Sequence, residues 1–172
     1  MFENDHLNED NKWRKLFEIL PVGVSILGPD HKVLEFNERL GEILGITKEG
    51  MSQGQYVNRV YVHSDGKPMK PEEFPSTIAI SEQKIVKNIE IGIIKEDGLT
   101  IWTRVDAAPL PFPDAVCVVV TTDITEQKHI EADLKKSKRE AEQLNKFSVD
   151  RELKMVELKK EVEELKAKLE GR

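Results

Sequence analysis

The sequence predicts an α+β domain built on a five-stranded antiparallel sheet, with short helices on one face and a long helix after it. Short apolar runs rich in β-branched residues alternate with turn residues over residues 21–122, as in an antiparallel sheet. Nothing after this region breaks a helix, since all eight prolines lie at or before Pro113 and Gly171 is the only glycine after Gly98. The tripeptide Asp-Ile-Thr at residues 123–125 joins the last apolar run to the long helix.

Charge is divided unevenly along the 172 residues, of which 34% are charged. Residues 1–125 contain 13 Lys/Arg and 20 Asp/Glu, whereas residues 126–172 contain 13 and 12. The acidic first part argues against a nucleic-acid surface, which needs a basic face. The balanced second part is typical of an exposed helix with many ion pairs.

The sequence favours the cytoplasm. Cys117 is the only cysteine, which excludes an internal disulfide and fits a reducing compartment. The longest apolar run, Val116–Val120, is too short to span a bilayer, so no membrane partner is expected. The amino terminus is acidic and polar, unlike a signal peptide.

Residues 1–8 are expected to be disordered, and an amphipathic helix is predicted over residues 9–20. Four apolar side chains recur there at helical spacing: Trp13, Leu16, Phe17 and Leu20. Pro21 ends this helix.

The sheet domain is predicted over residues 21–124. Its five expected strands are Val22–Leu27, Lys32–Phe36, Val86–Lys95, Leu99–Leu110 and Ala115–Thr122. Asn37 is expected to cap a short helix that stops at Gly45, and a second helix over residues 72–84 tolerates Pro75 in its first turn. Residues 46–71 form the least regular stretch, with room for one helical turn.

Three segments, taken together and in order, resemble the PAS family of sensory domains. Residues 20–45, LPVGVSILGPDHKVLEFNERLGEILG, are similar to the first two strands with the helix-capping asparagine. Residues 95–110, KEDGLTIWTRVDAAPL, are similar to the central hairpin, and residues 121–128, TTDITEQK, to the terminal junction. The resemblance covers residues 9–128.

This resemblance implies a cytoplasmic sensor or dimerisation module that is not an enzyme by itself. Such domains hold a ligand between sheet and helices and pass a change to a partner through the terminal helix, often into a histidine kinase or cyclase domain. No such output domain is found in the 172 residues, so the output is expected from a separate signalling protein or from a longer chain.

The candidate pocket follows from strand alternation and from the resemblance. Alternation places Thr103, Val105 and Ala107 on one face of their strand. The resemblance implies that the matching side of the last strand also faces inward. The full candidate set is Tyr56, Ile78, Ile89, Ile91, Ile93, Thr103, Val105, Ala107, Cys117, Val119 and Thr121. For each of these residues, the competing explanation is that it only packs the core.

No cofactor is indicated, and a small metabolite or an empty domain is expected instead. Flavin photoreceptors of the family carry a reactive cysteine in a helix, whereas Cys117 falls within a strand. Haem sensors place a histidine on the helix matching residues 72–84, which has none, and His63 just before it is expected to be exposed. The other histidines share no metal spacing, and no catalytic motif is found.

One heptad frame runs uninterrupted through the helix predicted over residues 125–170, which favours a coiled coil. Its apolar core positions are Ile130, Leu134, Leu144, Met155, Leu158, Val162, Leu165 and Leu169. Ser148 and Arg151 occupy two further core positions, so the middle is either a flexible joint or a defect that a local shift repairs.

Flanking charges partly support a parallel homodimer, in which the helix at residues 9–20 also contributes its apolar stripe. Asp133 with Lys138 is one favourable pair across two parallel helices. Antiparallel pairing remains open. The leading hypothesis is a sensory module that signals through the paired helices; the alternative is a ligand-free scaffold, and a haem or flavin sensor ranks last.

Overall fold

The structure is a computed structural model that describes residues 3–170, and it describes the side chains of these except residues 3–10, 163–165 and 167–170. The chain divides into two compact units, Met1–Glu126 and Gln127–Arg172. The first unit contains the sheet, and the second contains most of the long carboxy-terminal helix.

A single antiparallel sheet forms the centre of the first unit, with strand order β2-β1-β6-β5-β4-β3. The strands are β1 Gly23–Leu27, β2 Val33–Phe36, β3 Val60–Val62, β4 Val86–Ile94, β5 Thr100–Pro109 and β6 Cys117–Asp123. Every pair of neighbours is antiparallel, and β4 to β6 form the longest ladders. The antiparallel α+β fold is therefore confirmed.

The helices are α1 Glu3–Ile19, α2 Glu38–Leu44, α3 Lys48–Ser52, α4 Pro75–Glu82 and α5 Thr125–Glu170. Two short 3-10 helices, Gln55–Asn58 and Pro71–Glu73, lie between α3 and α4. Pro75 occupies the first turn of α4, where its missing N–H leaves no helical bond unmade.

The strand count was predicted wrongly: the sheet has six strands rather than five. The additional strand, β3, pairs through Val60 and Val62 with the far end of β4. Three residues are too few to show a two-residue period, and their extended conformation depends on pairing with β4. The short helix α3 lies in the irregular stretch of residues 46–71, where one helical turn was expected. Thr47 caps it by accepting a hydrogen bond from the Gly50 N–H at 3.1 Å.

The amino-terminal helix α1 begins at Glu3 rather than at Glu9. Residues 3–8, expected to be disordered, are therefore helical in the structure, while residues 1–2 lie outside the described residues. In the described part of α1, Trp13 is 65% exposed and Leu16 is exposed as well. The helix ends at Ile19, so Leu20 follows it, and Leu20 is also exposed.

Asn37 connects α1, β1 and α2 through four hydrogen bonds and is completely buried. Its Oδ1 accepts from the backbone N–H of Val24 at 2.9 Å and of Leu40 at 3.1 Å. Its Nδ2 donates to the backbone carbonyls of Phe17 at 3.0 Å and Val22 at 2.9 Å. The expected cap of α2 is thus present, and the same side chain also anchors the end of α1.

Helix α5 extends over 46 residues, about 70 Å at about 1.5 Å per residue. At its start the Asp123 carboxylate accepts from the Thr125 N–H at 2.8 Å. No helix within residues 3–170 combines the length and apolar character needed to cross a bilayer.

Candidate functional site

A cavity of about 850 Å³ lies between the inner face of the sheet and the segments that connect β2 to α4. Its floor is formed by side chains of β1, β6, β5 and β4. Its opposite wall includes Leu40 and Leu44 of α2, Met51 of α3 and Phe74. Most of the lining side chains are apolar, and the volume lies within the range of small-molecule sites.

Three buried hydroxyl groups interrupt the apolar floor: those of Ser25, Thr103 and Thr121. Thr103 is fully buried, and its Oγ1 donates to the backbone carbonyl of Ile91 at 3.1 Å. A hydroxyl has both donor and acceptor capacity. The floor can therefore bind polar groups as well as apolar surface.

Two tyrosines and one phenylalanine form the aromatic part of the wall. The Tyr61 hydroxyl donates to the backbone carbonyl of Tyr56 at 2.7 Å, and its ring meets Phe74 edge-on with centroids 5.0 Å apart. The Tyr56 hydroxyl accepts from the Val33 N–H at 3.4 Å. Burial raises the pKa of Tyr61 to about 12, so its phenol is neutral at physiological pH.

Arg59 provides the cavity wall with a buried guanidinium group. Nε and one terminal nitrogen donate to the two carboxylate oxygens of Glu96, both at 3.0 Å. The other terminal nitrogen donates to the backbone carbonyl of Leu44 at the end of α2. Arg59 lowers the pKa of the Glu96 carboxyl, whose side chain is mostly exposed.

The structure brings together seven of the eleven predicted pocket residues on the cavity wall. These are Tyr56, Ile91, Ile93, Thr103, Val105, Val119 and Thr121. Whether they contact a ligand stays a prediction.

The other four predicted pocket residues lie away from the cavity wall. Ala107 and Cys117 are buried in an apolar cluster with Ala79 of α4, and Ile78 packs against that cluster. Ile89 packs against it and also against the apolar cluster that contains Ile91, Ile93 and Val105. Alternation assigned Ala107 to the inner face, the resemblance assigned Cys117, and Ile78 was expected on the helical side. None of these signals carries information about which helix covers the inner face. Burial raises the pKa of the Cys117 thiol, consistent with a packing role.

Sequence reasoning missed several wall residues from the segment between β2 and α4. Arg59, Met51 and Met69 are the clearest examples. No periodic signal marks them, because this segment folds as short turns around the sheet. Arg59 had one usable signal, its isolation as the only charged residue in residues 50–64.

The junction residues 123–125 bond directly to the neighbouring strand β5. The Thr125 Oγ1 accepts from the Trp102 N–H at 3.0 Å, and the Ile124 N–H donates to the Trp102 carbonyl at 2.8 Å. Ile124 itself is 4% exposed and belongs to the core. The start of α5 is therefore attached to the same strand that supplies Thr103 and Val105 to the cavity.

The apolar residues proposed for helix pairing are largely exposed in the single chain. Along α5 these are Ile130, Leu134, Leu144, Met155, Leu158 and Val162. Phe17 of α1 is half-buried. The side chains of Leu165 and Leu169 lie outside the described residues.

His63, which directly follows β3, is half-exposed, and its ring is paired with a carboxylate. The His63 Nε2 lies 3.3 Å from the Glu73 carboxylate, whose pKa is lowered mainly by the Lys70 backbone N–H and then by His63. Within the part of the chain with described side chains, no three His, Cys, Asp or Glu side chains are grouped as a metal site would need.

Comparison with known proteins gives one curated relative in sequence and many in structure. The sensor protein TdiS of Thauera aromatica is 32% identical over 122 residues, which are 70% of this chain and 22% of that protein. The matched segment is thus a small part of the relative's length. No family model matches the chain.

Solved PAS domains superimpose on the first part of the chain. That of an HTR-like protein from Haloarcula marismortui has a TM-score of 0.53 at 18% identity, covering 71% of this chain and 97% of that one. A domain of a sensory box histidine kinase/response regulator from Geobacter sulfurreducens has a TM-score of 0.51 at 19% identity, covering 67% and 94%. The chain therefore has the fold of a PAS domain continued by a long carboxy-terminal helix, and in sequence it is similar to a sensor protein.

Proposed function

We propose that this chain is a cytoplasmic sensory module that binds a small molecule in the cavity and transmits its presence through a parallel pair of α5 helices. It acts as a signalling module rather than as an enzyme, and its output comes from a kinase or another signalling protein. The cavity of about 850 Å³ carries this proposal. A domain that served only as a scaffold would gain stability by filling this space.

The route for the signal is supported by bonds at the helix junction. Thr125 and Ile124 bond to the backbone of Trp102 in β5, and β5 also supplies Thr103 and Val105 to the cavity floor. A ligand that contacts this floor in one conformation better than in another shifts the population of junction geometries. The starting direction of α5 then differs between the two populations.

Pairing of α5 is supported by its length and by its exposed apolar residues. A largely polar helix of 46 residues gains little stability by itself in water and needs a partner. Met155, Leu158 and Val162 lie at heptad core positions, and each is about half exposed in the single chain. A second copy of α5 would bury them.

Retention of a molecule by the purified protein tests the sensing part of this proposal. Native mass spectrometry of the full chain should show a bound small molecule, or one after incubation with a cell extract. Val105→Phe should abolish its retention, because the larger ring occupies the cavity floor. An empty wild-type protein in both samples would favour the ligand-free scaffold, and a Soret band or flavin absorption would identify a cofactor instead.

Two aspartate substitutions in α5 test the pairing. Leu158→Asp places a charge in the predicted seam and should convert the dimer into a monomer at micromolar concentration, measured by analytical ultracentrifugation. Val156→Asp is the matched control, because Val156 is 53% exposed against 52% for Leu158 but lies outside the seam. Equal effects of the two variants, or a wild-type monomer, would contradict the heptad frame.

A further inference from the structure

The wall of the cavity carries one permanent positive charge, the guanidinium of Arg59. Its side chain is 4% exposed, and most of its neighbours on the wall are apolar. Among the described residues, no other arginine and no lysine lines this cavity, and Glu72 is its only carboxylate. A charge in such a place is costly unless it is paired and hydrogen-bonded.

Arg59 uses three of its five N–H groups within the protein. Two bond to the carboxylate of Glu96 and one to the carbonyl of Leu44. A guanidinium has five N–H donors in a planar fork, so two have no acceptor among the described residues. Arg59 lines the cavity, and the bonds within the protein leave these two donors for another acceptor.

The carboxylate that neutralises Arg59 is itself in contact with solvent. The Glu96 side chain is 68% exposed, compared with 4% for Arg59. Water screens the field of an exposed charge, so Glu96 compensates the buried guanidinium only in part. Attraction for a second anion therefore persists on the cavity side, and the fork of donors matches the two oxygens of a carboxylate.

We propose that the ligand is a small organic acid with an apolar body, whose carboxylate accepts hydrogen bonds from the two remaining N–H groups of Arg59. The apolar body lies against Ile91, Ile93 and Val105 on the floor. This inference rests on the proposed function, because it assigns a chemical class to the molecule in the same cavity. Arg59 is the group that selects an acid over a neutral molecule of equal shape.

Matched acids and amides test the charge requirement. Isothermal titration calorimetry of the full chain would compare hexanoate, octanoate and decanoate with hexanamide, octanamide and decanamide. Each amide keeps the chain length and the polar head but lacks the negative charge. At least one acid should bind at least about tenfold more tightly than its amide, since hydrogen bonds to charged groups are the stronger ones.

Substitution of Arg59 should remove this preference. Arg59→Met should weaken octanoate binding by about 10- to 100-fold and leave octanamide binding nearly unchanged. Circular dichroism and the unfolding temperature of the variant report whether the fold persists, because the substitution also removes the bond to Leu44.

Glu96→Gln tests the contact between Arg59 and the ligand carboxylate while Arg59 itself stays unchanged. It removes the anion that competes for the guanidinium, so octanoate should bind several-fold more tightly while octanamide should not. The matched control is Glu42→Gln, which changes the net charge equally at an exposed pair with Arg39 away from the cavity wall. A purely structural Arg59 predicts no gain in affinity from Glu96→Gln.

The outcomes separate this inference from the proposed function. Equal binding of acids and amides would overturn the role of Arg59 and leave a sensor of neutral molecules. If none of the six probes binds but native mass spectra show a retained neutral molecule, the role of Arg59 is likewise overturned and the protein is a sensor of neutral molecules. Failure of all six probes with an empty protein would overturn both proposals.

Discussion

The inner face of the sheet has two halves that differ in what covers them. In the cavity half, Ile93, Thr103 and Val105 face the cavity of about 850 Å³. In the packed half, Ala107 and Cys117 lie against the fully buried Ala79 of α4. Both halves lie on the same strands, with Val105 and Ala107 two residues apart on β5. Strand alternation therefore tells which side chains point inward but not whether a neighbour meets them there.

The size of the side chains explains the contrast. Ala79, Ala107 and Cys117 are small, so α4 approaches the sheet closely and fills the packed half. The cavity half is covered instead by α2, α3 and the segment that leads from α3 to the first turn of α4. These elements surround a space with larger residues such as Leu40 and Met51. A ligand site forms here because the elements that cover this half leave a space between themselves and the sheet.

The largest expected effect comes from replacing Asn37, whose hydrogen bonds hold α2 in place over the cavity. Asn37 joins the start of α2 to β1 and to the end of α1. Asn37→Ala should lower the free energy of unfolding by about 3–5 kcal/mol, because four backbone groups, two in buried and two in partly buried hydrogen bonds, lose their partner. Urea denaturation followed by circular dichroism measures this.

An exposed asparagine provides the control for this anchor. Asn58 is exposed in the 3-10 helix before β3, and Asn58→Ala should change the free energy of unfolding by less than about 0.5 kcal/mol. A loss below about 1 kcal/mol in Asn37→Ala would mean that the network is not maintained in solution.

Adding volume should cost much more stability in the packed half than in the cavity half. Ala107→Leu overpacks the α4 contact and should cost about 2–3 kcal/mol of stability. Val105→Phe also enlarges the side chain, but the ring extends into the cavity, so its cost should stay below about 1 kcal/mol. Denaturant titrations of both variants give the comparison. Equal destabilisation would show that the cavity is closed in solution.

The smallest expected effect is a pH dependence of the free energy of unfolding that is due to Tyr61 on the cavity wall. The folded state holds the Tyr61 proton up to a pKa of about 12, whereas the unfolded chain releases it near its usual value of 10.0. The stability due to the neutral phenol is therefore complete below pH 10 and is lost as pH rises from 10 towards 12. The expected loss at pH 11 is about 1 kcal/mol.

Tyr61→Phe isolates this effect from the titration of other groups. The variant lacks the ionisable hydroxyl, so its free energy of unfolding should fall less between pH 9 and pH 11 than that of the wild type. Identical pH profiles in urea titrations would mean that Tyr61 reaches solvent in the folded protein.

Local signals predicted much of the fold, and the candidate site only in part. Helix α2 is capped by Asn37 and by Gly45 as expected, since capping depends on residues close in sequence. The cavity wall includes seven predicted residues, all but Tyr56 from strands with clear alternation. Arg59 and β3 escaped prediction, because their roles depend on partners such as Glu96 that are distant in sequence.

The sequence by itself determined the elements with local causes: the alternating strands, the caps, and a helix without breakers after residue 124. Only the tertiary structure decided where the inner face is filled and where it encloses a space. That choice depends on the distance between a helix and the sheet, which the small residues of α4 and β5 set jointly. Neither segment carries this information alone.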